Sequence, residues 1–337
     1  MRIGAVFEWN NNIRYRVLNP FDALDRKGHD VVFGRMAPDA PLDVAALASC
    51  EVIQVYRLVE PSDWRAVQRL AANGAAIVWD TDNDLASTPR ELPGYRRKGG
   101  LAARRDTART TLAMARAAHG VTTSTEALAE RYRAQGIKRV DVLPNYLAPN
   151  EVRFRPRKHD GVVIGWIAAA EHAADVQRLP FVTALEQLLE AESDVRVESI
   201  GTDVGLRHDR YRHIPTVPMN EFLEIARGWD IGIAPLADIP FNRARSDVKL
   251  KEYASLGIPW LASPVGPYVA LSEREGGRLV ADGEWFEALR RLATSRFDRM
   301  RLGRRSRAWA KSQVADRHVE GWVRAFEAAL AQRPAAS

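Results

Sequence analysis

Short apolar runs, each followed by an amphipathic or charged stretch, recur along most of this chain, and that alternation constrains its architecture more than any other feature. A brief continuous apolar run is the signature of a strand buried on both faces, which is how strands of parallel sheets read. In the first half, residues 3–7, 31–33, 51–56, 76–79, 121–123 and 140–143 read as strands, with helices at 64–72 and 101–118. Thr123 and Glu126 form a capping-box pattern opening one further helix, which Gly136 closes. A stretch with three prolines and clustered charge follows Leu143, and then the logic repeats with strands at 162–167, 195–200, 231–236 and 260–262. Alternating strands and helices predict an α/β fold with a parallel sheet in each half. A chain of 337 residues accommodates two such domains. We divide it into 1–145, a linker at 146–160, a second domain at 161–310, and an amphipathic C-terminal helix within 311–337.

Composition narrows the setting. The single cysteine, Cys50, excludes an intramolecular disulfide and a cysteine metal cluster. No apolar run approaches a membrane span. The opening MRIGAVFEWN is strand-like rather than a signal peptide, so a cytoplasmic location is expected, with peripheral membrane contact left open. The net charge of +6 favours anionic partners without choosing among nucleotides, lipid surfaces and nucleic acid.

The most informative stretch is FNRARSDVKLKEYASLGIPWLASPVGPY, residues 241–268. It reads as loop, helix and buried strand. Ser246 or Asp247 is suited to cap the helix, Gly257 to end it, and Pro259 to prevent its resumption. Lys249 falls in the first turn, where the positive helix end disfavours a cation unless an anion binds there. Glu252 shares its face. Free amides and a cation suit phosphate, and a neighbouring carboxylate suits sugar hydroxyls. An ordinary charged surface helix is the competing reading.

The pattern K-x-x-E-Y-x-x-x-G-x-P, Lys249 to Pro259, resembles the donor-site signature of GT-B glycosyltransferases of the retaining, GT4-like group, as do DIGIAPL at 230–236 and PFN at 240–242. The resemblance implies two Rossmann-like domains facing each other across a cleft, with the C-terminal helix crossing back to the first. It implies transfer of a hexosyl unit from a UDP- or GDP-linked sugar to an acceptor hydroxyl, with retention and without a resident cofactor or metal. Glu252 would hold the ribose, and Lys249, helped by Arg243 or Arg245, would face the diphosphate. The family's first glutamate is replaced by Ala244, which opens the question of how the sugar is held.

Other segments fit the same frame. GWIAAAEH, 165–172, resembles the loop opening the second domain in this group, placing Trp166 and His172 beside the donor, with Ser246 and Gly201 as further donor-side candidates. Asp80 occupies a position where the family often carries a histidine near the transferred sugar. In WDTDNDL, Asp80, Asp82 and Asp84 also present a D-x-D metal pattern, for which capping and a cleft role are the alternatives. Arg14 and Arg16, in N-N-x-x-R-Y-R, resemble a family element near acceptor and diphosphate. A cluster of Arg90, Arg96, Arg97, Lys98, Arg104, Arg105 and Arg109 is either a solvated face or a surface for an anionic acceptor. The acceptor is expected to be a glycan, lipid-linked or small-molecule hydroxyl. Transfer to hydroxylated bases of DNA, and a non-catalytic nucleotide-sugar-binding module, are the rival functions.

Overall fold

The computed structural model describes residues 1–10, 12–57, 60–97, 99–153, 157 and 159–333. The first domain holds β1 (Arg2–Phe7), β2 (Asp30–Phe33), β3 (Val52–Tyr56), β4 (Ala76–Thr81), β5 (Gly120–Thr123) and β6 (Val140–Val142). They form one all-parallel sheet in the order β2-β1-β3-β4-β5-β6. The second domain holds β7 (Val162–Ala168), β8 (Val195–Gly201), β9 (Tyr211–Ile214), β10 (Ile231–Ala234), β11 (Trp260–Ala262) and β12 (Gly277–Leu279). Its order is β12-β11-β10-β7-β8-β9, again all parallel. Both sheets reverse their winding beside the first strand, between β1 and β3 and between β7 and β10. Open α/β sheets bind ligands at the carboxyl ends of strands flanking such a reversal.

The fold is the expected pair of Rossmann-like domains. Two strands went unread, β9 and β12, and both lie at sheet edges. Edge strands carry polar residues because one side is not covered, as Arg212 and His213 in β9 illustrate. The helix Glu126–Ala134 is capped by Thr125, whose side chain accepts from the amide of Leu128, and not by the expected Thr123–Glu126 box. Thr123 instead donates to the carbonyl of Thr125. Of the expected linker, Phe154, Arg155, Pro156 and Lys158 lie outside the described residues.

The last helix, Val319–Leu330, ends the chain on the first domain. Val319, Trp322 and Phe326 are buried in one cluster with Ile3, Phe7, Phe21 and Leu24 of that domain, so the C-terminal stripe completes the N-terminal core.

Candidate functional site

The helix Val248–Leu256 begins after Asp247, whose side chain makes no capping hydrogen bond. The Asp247 carboxylate instead meets Lys251 Nζ at 2.9 Å, and Lys251 also donates to the Asn145 carbonyl at 2.8 Å, tying the helix to the end of the first domain. Among the described residues no side-chain cap bond is made at this helix start, which adjoins the cavity. Gly257 ends the helix at φ 74°, a left-handed conformation that glycine adopts without strain.

Lys249 and Glu252 project into a cavity of about 120 Å³ between the domains. Its walls include Asn12 and Asp82 from the first domain, and His172, Gly201, Arg245 and Ser246 from the second. Lys249 Nζ donates to the Ile167 carbonyl at the end of β7. Burial lowers its pKa to about 7, and the neighbouring Arg245 charge acts in the same direction. Arg245 Nη1 is buried with no hydrogen-bond partner. Two cations thus converge beside a helix start, an arrangement that suits an oxyanion. Burial raises the pKa of Glu252, against a hydrogen bond from Tyr15 and the charge of Lys249.

That hydrogen bond crosses the cleft. Tyr15 Oη donates to Glu252 Oε1 at 2.6 Å, and both groups are buried. Tyr15 stands between the two arginines singled out in the sequence. Its hydroxyl went unread because nothing local marks its partner 237 positions away.

Three expected placements differ in the structure. Arg16 and Asp80 do not face the cleft: both are fully buried and paired with each other, at 3.0 Å and 2.5 Å. Thr122 and Gln54 donate to the same carboxylate, and Arg16 also reaches Asn145 Oδ1 at 3.0 Å. The pair therefore joins β3, β4 and β5 to the end of the first domain, and a fully paired buried carboxylate has no valence left for a sugar. Trp166 lies in the second domain's core, edge-on to Phe181 and His172, while the backbone that follows it lines the cavity. Arg243 is at the surface, paired with Asp238 at 2.5 Å, so only Arg245 of the two enters the site. Arg96 and Arg97 do not line the cavity and are exposed, as a solvated face and a surface for an anionic acceptor both require.

The remaining candidates are placed as follows. Asp82 accepts from Tyr56 at 2.8 Å and Asn12 at 2.7 Å and pairs with Arg57 at 3.0 Å. Asp84 pairs with Arg131. The three aspartates are thus distributed among three different cations. No group of three or more potential metal ligands is found among the described residues. Arg57 was not anticipated, and it holds a left-handed φ of 54°, a strained conformation for a side chain of its size at the end of β3. Arg14 meets Glu151 at 2.6 Å and lines a neighbouring groove of about 1010 Å³, together with Trp9, Leu18, Asn150 and Pro218. Gly201 adopts φ 91°, and a Cβ there would lie 2.3 Å from the Ala168 carbonyl oxygen. Only glycine lets the paired ends of β7 and β8 approach this closely at the cavity wall. His172 is buried with its Nδ1 at 2.6 Å from Asp175, and its Nε2 has no partner.

The arginine cluster borders the cleft from outside. Glu91 accepts from Arg178 of the second domain at 2.9 Å, which anchors this segment across the opening. Arg90, Arg105 and Arg109 are exposed, Arg104 donates to the Thr88 carbonyl, and Lys98 lies outside the described residues.

Two facing Rossmann-like domains are the organisation of GT-B proteins, and solved structures share this fold. An α-glucosyltransferase in complex with UDP and a 13-mer DNA containing a HMU base matches at TM-score 0.67 and 11% identity, over 98% of this chain and 99% of that one. HepE from Anabaena, in complex with UDP-glucose, matches at TM-score 0.63 and 11% identity, over 96% of this chain and 99% of that one. A point mutant of S. aureus TarM matches at TM-score 0.59 and 11% identity over 85% of this chain, and the matched region spans 59% of TarM. No protein-family model and no curated protein sequence matches the chain. At these identities the likeness is one of fold, and the fold is GT-B.

Proposed function

We infer that the protein is a glycosyltransferase that moves a hexosyl unit from a nucleotide sugar to an acceptor hydroxyl, with retention and without a metal. The observation that carries this reading is the convergence of Lys249 and Arg245 at the start of the helix Val248–Leu256, with Glu252 one turn away. The cations and free amides offset charge growing on the departing diphosphate, which is transition-state stabilisation of the leaving group. Glu252 accepts from the ribose hydroxyls, and a hydrogen bond to a charged group contributes about 1.5–3 kcal/mol. UDP or UDP-glucose bound in neighbours of the same fold supports a UDP-linked donor. The groove beside Arg14, with Trp9 and Leu18 in its wall, is the acceptor side.

Isothermal titration of the full chain with UDP-glucose and with GDP-mannose tests this. Micromolar binding to one of them, lost in Glu252→Ala and in Lys249→Met with the circular dichroism unchanged, is the expected result. Binding that survives both substitutions contradicts the assignment.

A second acceptor reading draws on the exposed arginines, because Arg90, Arg96, Arg97 and Arg105 carry no acidic partner among the described residues. A fold neighbour with DNA bound makes duplex DNA the polyanion to try first. Phosphate contacts by both arginines predict that Arg96→Glu with Arg97→Glu lowers the slope of log affinity against log salt by about two. An unchanged slope leaves the cluster a solvated face.

A further inference from the structure

The replacement of the family's first glutamate by Ala244 leaves the transferred sugar without its expected carboxylate, and besides the cationic Arg245 Nη1 the cavity-lining residues hold one more buried polar atom with no partner among the described residues, His172 Nε2. What that atom can do depends on which ring nitrogen carries the hydrogen, and three contacts decide it. Asp175 Oδ1 accepts from the amide of Ala237 and from Asn242 Nδ2, each at 2.8 Å. The Asn242 amide is itself fixed, because its nitrogen also donates to the Ala237 carbonyl at 2.9 Å. Asp175 Oδ2 is then left for His172 Nδ1 at 2.6 Å. A carboxylate surrounded in this way takes a hydrogen from Nδ1, and Nε2 becomes a lone-pair acceptor. Burial and the charges of Lys249 and Arg245 all disfavour protonation of this ring.

We propose that Asp175 is a positioning residue that holds His172 in the Nδ1–H form, so that Nε2 accepts a hydrogen bond from a hydroxyl of the donor's sugar. The argument discriminates between the two halves of a sugar diphosphate. At neutral pH the diphosphate offers only acceptor oxygens, which an imidazole lone pair repels, and Lys249 and Arg245 serve it. A sugar hydroxyl is the donor that the lone pair can use. This assignment rests on the donor site described above.

The test compares ligands with and without the sugar, UDP against UDP-glucose and GDP against GDP-mannose, by calorimetry on the wild type, His172→Ala and Asp175→Asn. In Asp175→Asn the side-chain oxygen can still satisfy Ala237 and Asn242, which turns the new NH2 group toward Nδ1 and moves the ring hydrogen to Nε2. Both variants are expected to bind the sugar nucleotide about tenfold more weakly, as loss of one hydrogen bond of about 1.4 kcal/mol requires, and to bind the bare nucleotide within twofold of wild type. Equal losses for both ligands would mean a merely structural role and overturn the proposal. Long-range ¹H–¹⁵N spectra of the histidines, with His172→Ala supplying the assignment, read the tautomer without any ligand. They are expected to show an unprotonated Nε2 in wild type and a protonated one in Asp175→Asn. A protonated Nε2 in the wild type overturns the proposal even if sugar nucleotides bind. Wild type that binds neither nucleotide pair sinks the donor reading and the hydroxyl contact with it, and the nitrogen spectra then decide the tautomer alone.

Discussion

Under the proposed function, Lys249 trades stability for binding. Its ammonium is buried near a second cation, so the folded protein holds the proton less tightly than the unfolded chain, with the pKa lowered to about 7. Between that value and the ordinary lysine pKa the unfolded state binds more protons, and this residue's contribution to stability therefore rises with pH across the window. Below it, the full penalty of a buried charge applies. Lys249→Met is accordingly expected to raise the melting temperature at pH 6 by about 3 °C while abolishing nucleotide binding. Nucleotide binding should also take up a proton, because the diphosphate restores the lysine's basicity. UDP affinity then falls as pH rises from 7 to 9, and titrations in buffers of different ionisation enthalpy measure the uptake. Asp80 makes the opposite case: its charge is fully paired in the core, so Asp80→Ala leaves Arg16 stranded. Removing one partner of such a pair costs about 3–5 kcal/mol, checked by urea unfolding.

At the scale of elements, the strand ends and the last helix carry the organisation. The helix Val319–Leu330 belongs to the first domain's core although it follows the second in sequence. Trp322→Ala should cost about 3–5 kcal/mol and unfold the first domain preferentially, which hydrogen exchange of β1 and β3 amides would reveal. An equal loss of protection in both domains would contradict this. The ends of β7 and β8 pack backbone to backbone at Gly201. Gly201→Ala pushes the Ala168 carbonyl aside and is expected to lower nucleotide affinity at least tenfold, with little change at β1, because the disturbance lies in the cavity wall. Local sequence patterns foretold most of these elements. They missed β9 and β12 because edge strands lack the continuous apolar run, and they misplaced one cap because Thr123 and Thr125 compete for the same helix start.

At the scale of the whole molecule, the described state is closed. Sites for ligands of this size commonly enclose about 300–1,000 Å³, so a cavity of about 120 Å³ must widen to admit a nucleotide sugar. The Tyr15–Glu252 hydrogen bond spans it and occupies the carboxylate that the proposed function gives to the ribose. Under the proposed function, donor entry replaces one hydroxyl with another at Glu252. Tyr15→Phe is expected to enlarge the radius of gyration without ligand, measured by small-angle scattering, and to speed nucleotide association in stopped flow. An unchanged radius with unchanged kinetics would show that other contacts, such as Glu91–Arg178, hold the domains together.

The sequence by itself determined the alternation of strands and helices, the two domains, the helix bearing Lys249 and Glu252, and the apolar stripe that closes the first core. Each of these depends on residues within a few turns or strand lengths of one another, where periodicity and capping act. Only the tertiary structure decided which polar groups are spent and which are free. Arg16 and Arg245 are the same residue type in similarly polar stretches of sequence, yet one is fully paired in the core with Asp80, 64 positions away, and the other, which meets Glu171 at 3.4 Å through Nη2, keeps Nη1 unpartnered among the described residues in the cleft. Charge is a local property of a side chain, but its availability depends on burial and on partners that the chain brings together from a distance.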